Sequence, residues 1–225
     1  MKILACDTAN NTVSVAVSEG QQILAYLEEL KPLVQAEKLV GMIEGALGYS
    51  RLNYSDIDYL GVTNGPGSFT GIRIGLAAAK GILFGAQKIK ATAITIFEII
   101  NFRAITQVAS CQQSIVLIDA YRNQLYVQMF HRGNAATNPV LLDYQSVIDL
   151  LQRQQLHTIC SGSGVVRIYD HIKQLSYITI LPRFTRIKSL HLCRYIDLTL
   201  NHRTLLSLEP LYIRPPDAKI NLSAT

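Results

Sequence analysis

The segment Asn64-Gly65-Pro66-Gly67-Ser68-Phe69-Thr70-Gly71-Ile72-Arg73-Ile74-Gly75 holds the residues of this chain best placed to do chemistry. Its glycines permit close backbone approach, and its proline fixes the entry. An apolar strand-like run leads in, and an apolar helix-like run leads out. Thr70 is the expected N-cap of that helix. The free amides of a helix start make either a seat for an anion or a tight seat for another backbone. Gly65, Gly67 and Ser68 are the candidate residues if an anion binds. No common phosphate or nucleophile pattern fits. GxxxxGKS/T occurs nowhere, Thr70 stands where GxGxxG needs its third glycine, and Pro66 breaks GxSxG.

Asp7 is the other candidate. It ends an apolar run and opens the turn-like stretch Asp7-Thr8-Ala9-Asn10-Asn11. Actin-like and sugar-kinase-like ATPases place Asp-x-Gly at such a point. There the glycine lets a hairpin wrap phosphates, and the aspartate works through the metal and its water. Ala9 puts a methyl group where phosphate oxygens would approach, so Asp7 is expected to cap the hairpin turn. The five histidines (His131, His157, His171, His191 and His202) form no HxxxH, HxxH or HExxH spacing, and no metal site is expected. Ser68 and Ser163 lack a sequence-visible base, which weighs against a hydrolase. Cys6, Cys111, Cys160 and Cys193 lie far apart with no CxxC, as in buried, reduced thiols of a cytosolic protein.

These groups need a scaffold, and 225 residues with 49% apolar content suffice for a large core. No apolar run is long enough to cross a bilayer, and Asp7 precedes any long apolar stretch of signal-peptide type. A cytoplasmic protein with no membrane partner is expected. The formal charge of +5 is spread along the chain, with a loose cluster at Arg183, Arg186, Lys188 and Arg194. Such an excess helps attract RNA or an acidic partner but does not define a nucleic-acid surface.

Apolar spacing predicts strands at Ile3 to Cys6, Thr12 to Val17, Ile23 to Leu27, Tyr59 to Thr63 and Ala91 to Ile94. It predicts helices over Ala36 to Leu47, Ile72 to Phe84 and Phe97 to Ile105. A second strand-turn-strand follows, Ile115 to Ile118 and Leu125 to Phe130, then a helix around Tyr144 to Leu151. A strand near Thr158 to Cys160 leads into the loop Ser161-Gly162-Ser163-Gly164, and a last helix covers Ile187 to Leu200. Asp119 is followed six residues later by an apolar strand, as Asp7 is. The chain therefore reads as a duplicated α/β unit with mixed sheets. Of the early helices, Ile72 to Phe84 is apolar nearly all round and carries only Arg73 and Lys80 as charges. A helix of this kind must be covered, either as a core helix of the chain itself or by the sheet on one side and a partner subunit on the other.

The residues Gly65 to Ile82, GPGSFTGIRIGLAAAKGI, resemble the signature of the bacterial TsaB (YeaZ) family. The opening ILACDTANNTVSVAV is similar to that family's ILAIDTA start. Ile118-Asp119-Ala120-Tyr121-Arg122 resembles its second-lobe DAR segment, with Tyr121 where arginine is usual. Glu209 to Arg214 resembles its PxYxR tail. The likeness spans essentially the whole chain. It implies an actin-like (RNase H-like) duplicated fold of two lobes, residues 1–105 and 106–225.

The resemblance further implies a non-catalytic partner subunit in the formation of N6-threonylcarbamoyladenosine in tRNA, beside the anticodon. Its partners would be a TsaD-like catalytic paralogue, a TsaE-like ATPase and, within the complex only, tRNA. A homodimer is the expected state in isolation. No cofactor is expected for the chain by itself, and ATP or ADP only at the interface with the partner. The interface implied lies on the two early helices, at Leu39, Met42, Ile43, Ala46, Ile72, Gly75, Leu76, Ala79 and Leu83. Gln35-Ala36-Glu37 stands where many members read His-x-Glu, and glutamine is a poor replacement ligand. The rival readings are an active ATPase or small-molecule kinase, motivated by Asp7 and Asp119, and a direct tRNA-binding module.

Overall fold

The computed structural model describes residues 1–10, 12–108, 111–181, 186–199 and 207–214. Arg183 of the basic cluster and His202 lie outside them.

The first half runs β1 (Lys2–Asp7), β2 (Val13–Glu19), β3 (Gln22–Glu29), α1 (Gln35–Ser50), β4 (Tyr59–Gly65), α2 (Phe69–Gly85), β5 (Lys90–Thr95) and α3 (Ile96–Gln107). The second runs β6 (Gln113–Asp119), β7 (Gln124–His131), β8 (Asn134–Ala135), β9 (Val140–Asp143), α4 (Tyr144–Gln152), β10 (Thr158–Ser161), α5 (Val165–Ile172), β11 (Ile178–Leu181) and α6 (Ser189–Thr199). The first sheet has the order β3-β2-β1-β4-β5, antiparallel through β3-β2-β1 and parallel through β1-β4-β5. The second repeats it. β11-β10-β6 is parallel, β6-β7 is antiparallel, and both β8 and β9 pair with β7. The expected α/β duplication is thus present, and β8 brings the second sheet to six strands.

Local chemistry fixes several element ends. Thr95 Oγ1 accepts from the Glu98 amide at 3.1 Å, and the Glu98 carboxylate accepts from the Thr95 amide at 2.8 Å. This reciprocal pair starts α3. Asp143 caps α4 by accepting from the Ser146 amide at 2.8 Å. The strands β9 and β11 and the helix α5 are missed by sequence patterning. The two strands are four residues long, too short for alternation to register.

Alternation along β6 sorts the layers. Ile115 and Leu117 point into a cluster with Val147, Leu151, Val165 and Ile168 of α4 and α5. Val116 and Ile118 join the other cluster, which holds Phe97 and Ile100 of α3. In β4 the neighbours Gly61 and Val62 face opposite ways. A Cβ on Gly61 would meet Ile196 of α6, while Val62 lies against Gly75 of α2. The last helix of each half therefore crosses over: α6 covers β1 and β2, and α3 covers β6 and β10. Phe102 of α3 and Tyr195 of α6 meet edge to face at 5.3 Å. A division after residue 105 would fall inside α3 and leave part of the first lobe's cover in the second half of the chain.

Candidate functional site

The glycine turn seats a backbone. Ser68, not Thr70, is the N-cap of α2, and its Oγ accepts from the Gly71 amide at 3.2 Å. The N-cap lies two residues earlier than expected because Ser68, unlike Thr70, keeps a non-helical backbone. The β1–β2 turn presses straight onto this start. The Ser68 amide donates to the Ala9 carbonyl at 2.7 Å, and Thr8 Oγ1 donates to the Gly71 carbonyl at 2.7 Å. A Cβ on Gly67 would sit 2.2 Å from the Ala9 oxygen, and one on Gly71 would sit 2.0 Å from the Thr8 oxygen. The glycines are there so that two main chains can touch. Gly65, a further candidate, has φ +121 and lies against the Leu211 carbonyl.

Asp7 is fully buried and its oxygens are engaged within the chain. Oδ1 accepts from the Thr63 hydroxyl at 2.7 Å and from the Ala9 amide at 3.3 Å, and Oδ2 accepts from Asn10 at 3.4 Å. Burial pushes its carboxyl up to about 6, against the downward pull of those donors. It caps the hairpin turn.

The second half has a related device, in which the end of β6 lies against the start of α5. A Cβ on Gly162 would lie 2.1 Å from the Leu117 carbonyl, and the Gly164 amide donates to that same oxygen at 2.9 Å. Ser163 Oγ accepts from the Asp119 amide at 3.1 Å. Asp119 is held by Arg167 at 2.7 Å and accepts from the Tyr121 amide at 3.0 Å. Between the lobes lie two openings of about 530 Å³ each. One is bounded by Asn10, Ser68, Asp119 and Ser163, the other by Phe69, Ile72 and Tyr212, and Arg214 lines both. Among the described residues no group of three His, Cys, Asp or Glu side chains is placed to hold a metal. All four cysteines are free and buried, and burial raises the Cys6, Cys160 and Cys193 thiols well above their ordinary range. No helix among the described residues is long and apolar enough to cross a membrane.

The early helices need a correction. Leu39, Ile43, Ala46, Ile72, Gly75, Leu76 and Ala79 are buried in the chain's own core, and Met42 and Leu83 are half-buried. These residues face the sheet. An arginine at Ala79 would test the fold before it tested any partner. The outward flanks are Val40, Gly41, Glu44 and Gly48 on α1, with Arg73, Ala77, Lys80, Gly81, Phe84 and Gly85 on α2. A groove of about 460 Å³ runs between the helices, lined by Val40, Tyr54, Ala78, Gly81, Ile82 and Gly85. Phe84 is 89% exposed and Val40 60%. Gly41, Gly48, Gly81 and Gly85 have nothing within 4 Å of where a Cβ would stand.

Two lobes of like strand order, each setting the backbone at the end of its first strand or the turn beyond it against a glycine-bearing helix start, define a duplicated actin-like fold. A solved Bacteroides thetaiotaomicron protein of actin-like ATPase fold matches over 85% of this chain and 95% of its own, at TM-score 0.51 and 9% identity. YeaZ from Pseudomonas aeruginosa matches over 94% and 99%, at TM-score 0.73 and 19% identity. The family described as TsaD, tRNA N6-adenosine threonylcarbamoyltransferase, matches residues 35–158. The tRNA threonylcarbamoyladenosine biosynthesis protein TsaB of Haemophilus influenzae is 31% identical over 95% of this chain and 94% of that protein. The chain belongs to the TsaB family.

Proposed function

We propose that this chain serves in the formation of N6-threonylcarbamoyladenosine in tRNA, beside the anticodon, as a non-catalytic subunit. It pairs with a TsaD-like catalytic paralogue through the outward flanks of α1 and α2. A TsaE-like ATPase joins the assembly, tRNA is met only within it, and the setting is the cytoplasm. ATP or ADP belongs at the interface with the partner, and the isolated chain forms a homodimer through the same face.

The observation that carries this reading is the set of four open glycines on the two helices. Glycine inside a helix costs about 0.5–1 kcal/mol relative to alanine. Gly75 offsets that cost within the chain, because Thr8 Oγ1 would lie 2.5 Å from its Cβ. Gly41, Gly48, Gly81 and Gly85 meet nothing that would explain them from within. Beside Phe84 and Val40 they allow another helix to come close. The name of the Haemophilus relative supplies the pathway. A helix start whose Ser68 amide is taken by the Ala9 carbonyl, and whose Gly67 and Gly71 lie against the Thr8–Ala9 backbone, weighs against the ATPase or kinase reading.

Gly81→Arg and Val40→Glu test it. Both positions are exposed, so the folded chain accepts them and neither variant is expected to lower the melting temperature. Co-purification with the catalytic paralogue and reconstituted tRNA modification are expected to fail together. Full pairing and full modification with both variants would overturn the proposed face. Turnover of magnesium-nucleotide by the isolated chain would favour the ATPase.

A further inference from the structure

We propose that residues 207–214 act as a strap that ties the two lobes together across their cleft. The segment has no helix or ladder of its own, yet the Leu211 amide, the Glu209 carbonyl and the Glu209, Tyr212 and Arg214 side chains each find a partner in one lobe or the other. On the first lobe, the Leu211 amide donates to the Asn64 carbonyl at 2.8 Å and Asn64 Nδ2 donates to the Glu209 carbonyl at 3.0 Å. Glu209 pairs with Lys80 at 3.0 Å. The Tyr212 ring stacks on Phe69 at 5.3 Å, and its hydroxyl accepts from Arg73 Nε at 2.8 Å. Arg73 in turn lies 3.8 Å over the Phe69 ring.

Two residues further on, the strap reaches the second lobe. Arg214 donates to the Ala120 carbonyl at 2.8 Å and to Gln124 Oε1 at 2.9 Å. Ala120 opens the turn after β6, beside Asp119, and Gln124 is the first residue of β7. Arg214 thus stands in the mouth of the cleft, with an opening on either side. The strap joins the glycine turn of one half to the β6–β7 turn of the other. It grips Phe69, Arg73 and Lys80 on the outer flank of α2, so the lobe angle and the placement of that flank are held by one device. The inference stands on the folded chain alone and does not depend on which partner, if any, covers α2.

Hydrogen exchange on the full chain tests it, read in peptides covering residues 62–70 and 117–126. Loss of a charge-assisted anchor is worth about tenfold in local opening. Arg214→Ala is expected to speed exchange about tenfold in the 117–126 peptide and also in the 62–70 peptide on the far lobe. Tyr212→Ala is expected to do the reverse, loosening 117–126 from the first-lobe side. Such reciprocity is what a tie produces and a locally packed tail does not. If Arg214→Ala exchanges throughout, Gln124→Ala provides the reading. It leaves Arg214 with the Ala120 carbonyl alone and should give the same two-sided pattern at smaller amplitude. Changes confined to the side of each substitution would overturn the proposal, as would no change at either peptide.

Discussion

A fully buried carboxylate is costly unless its neighbours compensate, and Asp7 has three donors from the same turn and from Thr63. Burial still wins, which places its folded value at about 6 against 3.8 for the free side chain. The sign follows from proton counting. Between pH 4 and 6 the folded chain keeps a proton that the unfolded chain has lost, so stability falls as pH rises through that window. The full span is on the order of 2–3 kcal/mol. Asp7→Asn keeps an oxygen acceptor for Thr63 and Ala9 and has no charge to desolvate. Urea midpoints from pH 4 to 7.5 are expected to show wild type losing ground to the variant as pH rises, with the gap constant above about pH 7. A gap that stays flat across the whole range would remove burial as the dominant influence on Asp7.

At the scale of the element, α2 is a helix with two kinds of glycine. Gly75→Ala puts a methyl group 2.5 Å from Thr8 Oγ1 and 3.2 Å from Val62, and should cost roughly 1–3 kcal/mol by overpacking. Gly81→Ala meets nothing and should gain about 0.5–1 kcal/mol from helix propensity. Thermal melts of the two variants are expected to move in opposite directions. The same helix shows what its sequence could and could not reveal. Its existence was plain from Ile72, Leu76, Ala79 and Leu83 at helical spacing, and so was the duplication marked by Asp7 and Asp119. Its orientation was harder to read, because Ile74, Ala77, Ala78 and Phe84 make the remaining surface apolar too. The family resemblance put the partner face on the Ile72, Leu76, Ala79 stripe, and that stripe is the core. The signal that would have corrected it is slight: Arg73 and Lys80 stand seven residues apart on one flank, and Phe84 shares it. That the glycine turn could seat a backbone was legible, but not that the backbone is the Thr8–Ala9 turn, since residues 63 apart in sequence meet there only after the sheet has formed.

Over the whole molecule, the crossing of α6 decides how the chain unfolds. Leu192, Cys193 and Ile196 are at most 2% exposed and cover β1 and β2 from the second half of the sequence. Their cluster also takes in Val116, Ile118, Phe130 and Ile159 of the second sheet, so one core spans both lobes. Burial of a large apolar side chain contributes roughly 1.5–3 kcal/mol, while a whole domain retains only about 5–15 kcal/mol. Losing α6 therefore removes a large share of the margin that keeps the first sheet folded. A fragment ending after α3, residues 1–107, contains every strand of that sheet but leaves the face of Gly61 bare. It is expected to bind a hydrophobic dye and to show no cooperative urea transition by circular dichroism. The full chain is expected to unfold in one step, with ellipticity and tyrosine fluorescence coinciding. A fragment that melts sharply and leaves the dye dark would mean that the first lobe closes its own core and that α6 merely rests upon it.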